Sequence, residues 1–174
     1  MSGATGSGKT QWLLEFLKFN SLNRSSASTY PILLWGDESG GPRVKAFHGE
    51  IFHGIPDKNL IKENPKPLFL ILDDLMLNMR KDFLDLLFTS ESHNWNVSVI
   101  FITQSLYGRD IRTVRANAHY LILMRNPSDQ LRIRTLGSQL FPGHLKYFMD
   151  SYKDPTENKF SYLVINMHPK SKYS

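Results

Sequence analysis

The apolar residues along the chain follow two periods, and these predict alternating strands and helices. Continuous apolar runs predict buried strands over residues 32–36, 68–73, 97–103, 119–124 and 160–165. Helical spacing predicts helices over residues 11–19, 80–89, 109–117 and 128–138, and one more carrying Leu145, Phe148, Met149 and Tyr152. Ser128 is the expected N-cap of the fourth helix, whereas residues 37–66 indicate no regular element. This alternation is typical of an α/β fold with a parallel sheet covered on both faces.

Composition excludes several classes of protein. A chain of 174 residues predicts a single domain over residues 1–174, with a polar tail over 166–174 that we expect to fray. The absence of cysteine excludes disulfides, thiolate–zinc sites and cysteine nucleophiles. No apolar run approaches the roughly 18–20 residues of a membrane span. The N-terminus lacks the apolar segment of a signal peptide, so we expect an intracellular protein that is not secreted.

The first residues contain a complete phosphate-binding motif, G-x-x-x-x-G-K-[ST]. It consists of Gly3, Ala4, Thr5, Gly6, Ser7, Gly8, Lys9 and Thr10. Glycines at these positions let backbone N–H groups turn toward a phosphate, and the helix after the loop adds the positive end of its dipole. We expect Lys9 to reach the β- and γ-phosphates of ATP and the Thr10 hydroxyl to bind Mg²⁺. An incidental glycine-rich turn is disfavoured because a helix with an apolar face comes directly after the motif.

The segment before this motif is unusually short. Only Met1 and Ser2 precede Gly3, although a phosphate loop normally comes after a buried strand. The expected fold class is therefore a P-loop NTPase three-layer sandwich of the additional-strand type, with a mostly parallel sheet, lacking the strand before the loop. A truncated sequence, a strand from another molecule, and a loop held only by the residues on its C-terminal side remain open.

A second motif lies at the end of the strand predicted over residues 68–73. This apolar run ends in two carboxylates, Asp73 and Asp74, as in the Walker B motif. We expect Asp73 to hold Mg²⁺, directly or through water. Asp74 is the candidate general base, which must lie within hydrogen-bond reach of the attacking water. Because many strands end in aspartate, the interpretation depends on the partner motif at residues 3–10.

Polar and cationic side chains after the next strand complete the candidate site. Gln104 comes after the predicted strand and is expected to contact the γ-phosphate or the attacking water, with Thr103 as second candidate and a simple loop residue as the alternative. Charge on the γ-phosphate also calls for an arginine, often from a neighbouring subunit. Arg112 is the first candidate in a group whose other members are Arg109, Arg115 and Arg125. A surface or DNA-contacting role is the alternative for each of them.

Taken in order, these motifs resemble those of the FtsK–HerA superfamily of DNA-pumping ATPases. The closer resemblance is to its viral genome-packaging branch, which includes the ATPases of poxviruses, virophages, adintoviruses and Polinton/Maverick elements. The generic part is GATGSGKT with LFLILDD. The specific part comprises Trp35-Gly36-Asp37, Gly54-Ile55-Pro56-Asp57, Asn96–Gln104, Arg112-Thr113, Asn117–Tyr120, Arg125–Asp129, Phe141-Pro142-Gly143 and Tyr152–Thr156. Nearly the whole chain is covered.

The resemblance implies a ring of identical subunits, a hexamer or a pentamer, that moves double-stranded DNA with ATP and Mg²⁺. It further implies docking on a capsid protein, and a location in the virion or in the cytoplasm or nucleus of an infected cell. Lys9, Thr10, Asp73 and Gln104 fall on the family's matching positions. Two features depart from the family: the absent first strand, and Asp74 where cellular members usually carry glutamate.

Charge and motif order leave two other functions open. Residues 105–174 carry 11 Lys and Arg against 5 Asp and Glu, whereas residues 1–104 carry 10 against 11. This excess fits a polyanion partner or a merely solvated basic surface. A nucleotide or small-molecule kinase shares the phosphate loop, although the strand between the two motifs and Gln104 argue against it. A degenerate module that binds nucleotide without activity is the third possibility.

Overall fold

The computed structural model describes residues 1–22, 31–36, 49–54, 56–73, 81–108 and 111–171. Within these ranges the chain forms two compact units. One consists of Met1–Lys9 and Gln104–Ser174, and the other of Thr10–Thr103. Each unit has its own sheet and its own buried apolar side chains.

The Thr10–Thr103 unit contains a four-stranded parallel sheet. Its strands are β1 (Ile32–Trp35), β2 (Glu50–Phe52), β3 (Leu68–Asp73) and β4 (Val97–Ile102), in the spatial order β2-β1-β3-β4. Leu33 pairs with Leu70, and Leu70 pairs with Val99, so the apolar runs of three strands lie side by side. β1 and β3 are continuous apolar runs and β4 is interrupted only by the exposed Ser98, which is why these three could be predicted. The parallel sheet expected from the sequence is confirmed for this unit.

Helices accompany this sheet along the chain. They are α1 (Lys9–Leu22), which begins at the last residue of the other unit, α2 (Lys58–Glu63), α3 (Lys81–Leu86), a π-helical segment (Leu87–Glu91) and α4 (Ser92–Asn94). Phe16 of α1 meets Phe69 of β3 edge-on at 6.0 Å, and Phe88 meets Phe101 of β4 in the same way at 6.3 Å. Such edge-to-face pairs are favoured over face-to-face stacking. The unit is thus an α/β layer structure compatible with the expected fold class.

The prediction of no regular structure over residues 37–66 was wrong for the part that the structure describes. β2 pairs with β1, and α2 comes after it. Asp57 caps α2, its Oδ1 accepting a hydrogen bond from the Asn59 N–H at 2.8 Å, and Ile61 is completely buried. β2 has only three residues and none is fully buried, so it carries no alternation that a pattern could reveal. Residues 37–48 and 55 lie outside the described ranges.

The unit formed by residues 1–9 and 104–174 is built around an antiparallel pair. Its elements are α5 (Arg112–Asn117), β5 (Tyr120–Met124), a 3₁₀ turn (Pro127–Asp129), α6 (Gln130–Leu140), α7 (Leu145–Thr156) and β6 (Tyr162–Asn166). β5 and β6 are antiparallel, contrary to the parallel arrangement predicted for the late strands. Ile133 and Leu136 of α6 and Phe148 of α7 pack with the buried side of these strands.

Several predicted boundaries shift in this unit. Ser128 does not cap α6: it lies in the 3₁₀ turn, and its hydroxyl donates to Asn126 Oδ1 at 2.9 Å. Pro127 starts that turn before the helix begins, so α6 starts at Gln130. The predicted helix 109–117 begins at Arg112, and residues 109–110 lie outside the described ranges.

Strand pairing at the C-terminal end extends into residues 166–174, the segment that was predicted to fray. Asn166 belongs to β6, and the Met167 N–H donates to the His119 carbonyl at 2.8 Å. Residues 172–174 lie outside the described ranges. Among the described helices, none is long and apolar enough to cross a membrane.

Candidate phosphate-binding site

The glycine-rich segment, residues 3–9, is attached to β5 through Ser2, the residue that precedes it. Ser2 donates its N–H to the Ile122 carbonyl at 2.9 Å and accepts from the Met124 N–H at 2.8 Å. These two bonds make an isolated parallel bridge between Ser2 and Leu123. Ser2 is buried, with 4% of its surface exposed. The position expected for the first strand is thus represented by one bridged residue.

Three glycines of the segment occupy positions that other residues could not take without strain. A Cβ on Gly3 would lie 2.6 Å from Ser7 Oγ and 2.7 Å from Met124 Cβ. Gly6 and Gly8 have φ angles of +78° and +102°, in the region that favours glycine. The backbone of this segment therefore favours glycine at positions 3, 6 and 8.

The side chain of Lys9, the last residue of the glycine-rich segment, contacts the first residues of that segment. Its Nζ donates to the Gly3 carbonyl at 2.7 Å and to the Ala4 carbonyl at 2.9 Å. The Ala4 N–H in turn donates to the Arg125 carbonyl at 3.2 Å, just beyond the end of β5. Since Lys9 is also the first residue of α1, the ammonium group and the helix N-terminus face the same short loop. An anion site needs such a positive charge together with backbone N–H groups that face the anion.

The candidate magnesium residues belong to the other unit. Thr10 is the second residue of α1, and Asp73 is the last residue of β3. Asp73 is partly buried behind Gly36, where an added Cβ would lie 3.2 Å from Asp73 Cβ. Asp74 lies outside the described residues. In the described part of the chain no group of three or more His, Asp or Glu could hold a metal.

Gln104 lies at the edge of a cavity that also borders the glycine-rich segment. The cavity has a volume of about 370 Å³ and is lined by Ala4, Thr5, Gln104, Ser105, Asn126, Ser128, Asp129 and Arg132. The Gln104 carbonyl accepts from Asn126 Nδ2 at 2.9 Å. The structure therefore brings Gln104 and the first residues of the motif to one polar cavity within one unit.

Asn126 is the hydrogen-bonding centre behind this cavity. It is 4% exposed, and its backbone N–H donates to the Tyr152 hydroxyl at 3.1 Å. The same hydroxyl donates to the Met124 carbonyl at 3.1 Å. Burial raises the pKa of Tyr152 above its ordinary value, since the charged phenolate is disfavoured away from water. Helix α7, which carries Tyr152, is thereby tied to the end of β5.

Of the arginines nominated from the sequence, the three that the structure describes do not line this cavity. Arg112 opens α5, while Arg115 donates to the Leu106 carbonyl at 2.9 Å and lies over the Tyr107 ring at 4.0 Å. Arg125 lies beyond β5, and Arg109 is outside the described residues.

Arg132 lines the cavity instead, and sequence reasoning missed it. Its Nη1 donates to Ser105 Oγ at 2.7 Å and lies 3.3 Å from Asp129 Oδ1. The one signal that could have revealed it is the i, i+3 spacing of Asp129 and Arg132 on a predicted helix.

No family model matches the chain, and a search of the curated proteins finds no relative. The resemblance to the packaging ATPases consequently rests on the motifs in the sequence.

Proposed function

We propose that the chain is a P-loop NTPase of the additional-strand type that hydrolyses ATP to move double-stranded DNA into a viral capsid. The observation that carries this proposal is the conformation of residues 3–9. Two glycines there have positive φ, a third is in close contact with β5, and Lys9, whose Nζ donates to the Gly3 carbonyl, is the first residue of a helix. Each of these features is what a phosphate-binding loop requires.

The proposal gives each candidate residue a role. Lys9 and the N–H groups of the loop bind the β- and γ-phosphates, while Thr10 and Asp73 hold Mg²⁺, whose charge offsets that of the phosphates. Asp74 takes a proton from the attacking water, and Gln104 orients that water or the γ-phosphate. Arg112 of a neighbouring subunit supplies positive charge opposite the γ-phosphate.

The choice of DNA as the moved substrate is supported by the resemblance and by charge. Residues 105–174 carry the whole basic excess of the chain, 11 Lys and Arg against 5 Asp and Glu. Lysine and arginine contacts to phosphates dominate affinity for duplex DNA and weaken with added salt. A homo-oligomeric ring docked on a capsid protein is the expected assembly.

ATP hydrolysis with and without duplex DNA tests the proposal. Lys9→Ala is compared with Lys58→Ala, which removes an equal charge from an exposed position in α2. Turnover that rises with DNA, is lost in Lys9→Ala and persists in Lys58→Ala is the expected result. Turnover no higher than that of Lys9→Ala would refute the motor function for this chain.

The alternative is a nucleotide-binding module without turnover, which would bind phosphate through the same residues but lack the fixed geometry that hydrolysis needs. Binding of a fluorescent ATP analogue that is lost in Lys9→Ala, without measurable hydrolysis, would favour that alternative.

A further inference from the structure

The cavity beside the glycine-rich segment has two different walls. Ala4 and Thr5 form one side, and Arg132, held by Ser105 and Asp129, forms part of the other. A cavity that joins backbone of a phosphate-binding loop to a fixed guanidinium has the composition of an oxyanion site.

The position of Lys9 indicates which end of a nucleotide would face this cavity. Its Nζ lies against the carbonyls of Gly3 and Ala4, at 2.7 and 2.9 Å. A lysine at this position in the motif reaches the β- and γ-phosphates. The terminal phosphate is therefore expected at the Gly3–Ala4 end of the loop, which is the end that borders the cavity.

The opposite end of the loop has a different neighbour. A Cβ on Gly8 would lie 2.5 Å from Cδ1 of Phe160, so an aromatic ring covers that end. Phe160 is 55% exposed and has a φ angle of +63°, uncommon for a bulky residue. The Lys9 ammonium group thus lies at the Gly3–Ala4 end of the loop, and the Phe160 ring lies at the Gly8 end. This asymmetry fits a ligand with an anionic end and an apolar end.

Arg132 is held in place and still has hydrogen-bond donors to offer. The contacts to Ser105 Oγ and Asp129 Oδ1 both use Nη1. The N–H groups on Nη2 and Nε make no hydrogen bond within the described residues, and the side chain is 52% exposed. Asp129, whose side chain is 7% exposed, also accepts from the Ser105 hydroxyl at 3.3 Å. A buried carboxylate therefore holds Nη1, and the donors on Nη2 and Nε remain available to a ligand in the cavity that Arg132 lines.

We propose that Arg132 binds the terminal phosphate of the nucleotide held by the same subunit, with Asp129 and Ser105 as its positioning residues. This inference rests on the proposed nucleotide-binding function. The Arg132 guanidinium of the same subunit would then distinguish a nucleoside triphosphate from a diphosphate. Arginine suits the task because its planar donors can pair with two oxygens of one phosphate.

The test measures affinity for fluorescent ATP and ADP analogues in the presence of Mg²⁺. Arg132→Gln is compared with Arg134→Gln, which removes an equal charge from an exposed position of α6 outside the cavity. Loss of a charge-assisted pair is expected to weaken triphosphate binding by about tenfold or more and to leave diphosphate binding within about twofold. Arg132→Lys is expected to recover part of the loss. Thermal melts of each variant check that the fold is intact.

An unchanged ratio of the two affinities in Arg132→Gln would overturn the inference, whether both affinities stay high or both fall together. In that case Arg132 serves only to hold Ser105 and Asp129. A tenfold loss for Arg134→Gln as well would also overturn it, because the effect would then come from general charge. Wild-type protein that binds neither nucleotide would refute the proposed function instead, and this outcome is distinct from the others.

Discussion

Replacing Tyr152 with phenylalanine removes one oxygen atom from the buried end of β5. That oxygen accepts from the Asn126 N–H and donates to the Met124 carbonyl, both at 3.1 Å. Each buried backbone group left without a partner costs about 1–3 kcal/mol, while the cost of burying the hydroxyl itself is recovered. We therefore expect Tyr152→Phe to lower the free energy of unfolding by about 1–3 kcal/mol.

Urea unfolding at pH 7 measures this loss. The matched control is Tyr147→Phe on the same helix, where the side chain is 75% exposed. Its unfolding free energy should remain within about 0.5 kcal/mol of wild type. If Tyr152→Phe proves as stable as this control, the hydroxyl does not hold the end of β5.

Alkaline pH gives a second test of the same group. Because burial raises the pKa of Tyr152, the folded state binds the phenolic proton more tightly than the unfolded state does. The stabilisation is complete below the unfolded pKa of about 10 and is lost as pH rises through the folded pKa. The stability difference between wild type and Tyr152→Phe should therefore shrink above about pH 10. A difference that stays constant across that range would contradict the assigned burial.

One other buried contact gives a testable outcome of its own. Gly137→Ala places a methyl group into the Phe148 ring and should lower the free energy of unfolding by about 1–3 kcal/mol, whereas Ser138→Ala, at an exposed position of the same helix, should have little effect in a urea titration. Equal stability of the two variants would contradict the close packing of Gly137 against Phe148.

The strands that could be predicted are those rich in apolar residues. β1 and β3 are continuous apolar runs and β4 is interrupted only by Ser98, so these three need no alternation to indicate a strand. β2 escaped prediction because three partly exposed residues contain no period. The direction of β6 also escaped, since apolar spacing states that a strand is buried but not which neighbour it pairs with.

Some residues of the candidate site could also be predicted from the sequence, and others could not. Gly6 and Gly8 could be predicted because a left-handed backbone leaves glycine as the favoured residue, and that preference is visible in the letters of the sequence. Arg132 could not, because its partner Ser105 is 27 positions away and the cavity forms only after folding. Ser128 is a case in which the sequence predicted a contact that does not form. It is a good capping residue, but its hydroxyl donates to Asn126 Oδ1 instead of capping the helix.

Tyr152 and Asn126 have a mechanical consequence for the loop. Helix α7 holds the Asn126 N–H through the Tyr152 hydroxyl, and the adjacent Arg125 carbonyl holds the Ala4 N–H. A force that displaces α7 along its axis would load these two hydrogen bonds in series and pull on the first turn of the glycine-rich segment. Conversely, tightening of that segment around an anion would strain the same two bonds and transmit the load to α7. In this unit, two hydrogen bonds and the adjacent residues Arg125 and Asn126 therefore connect the loop to α7.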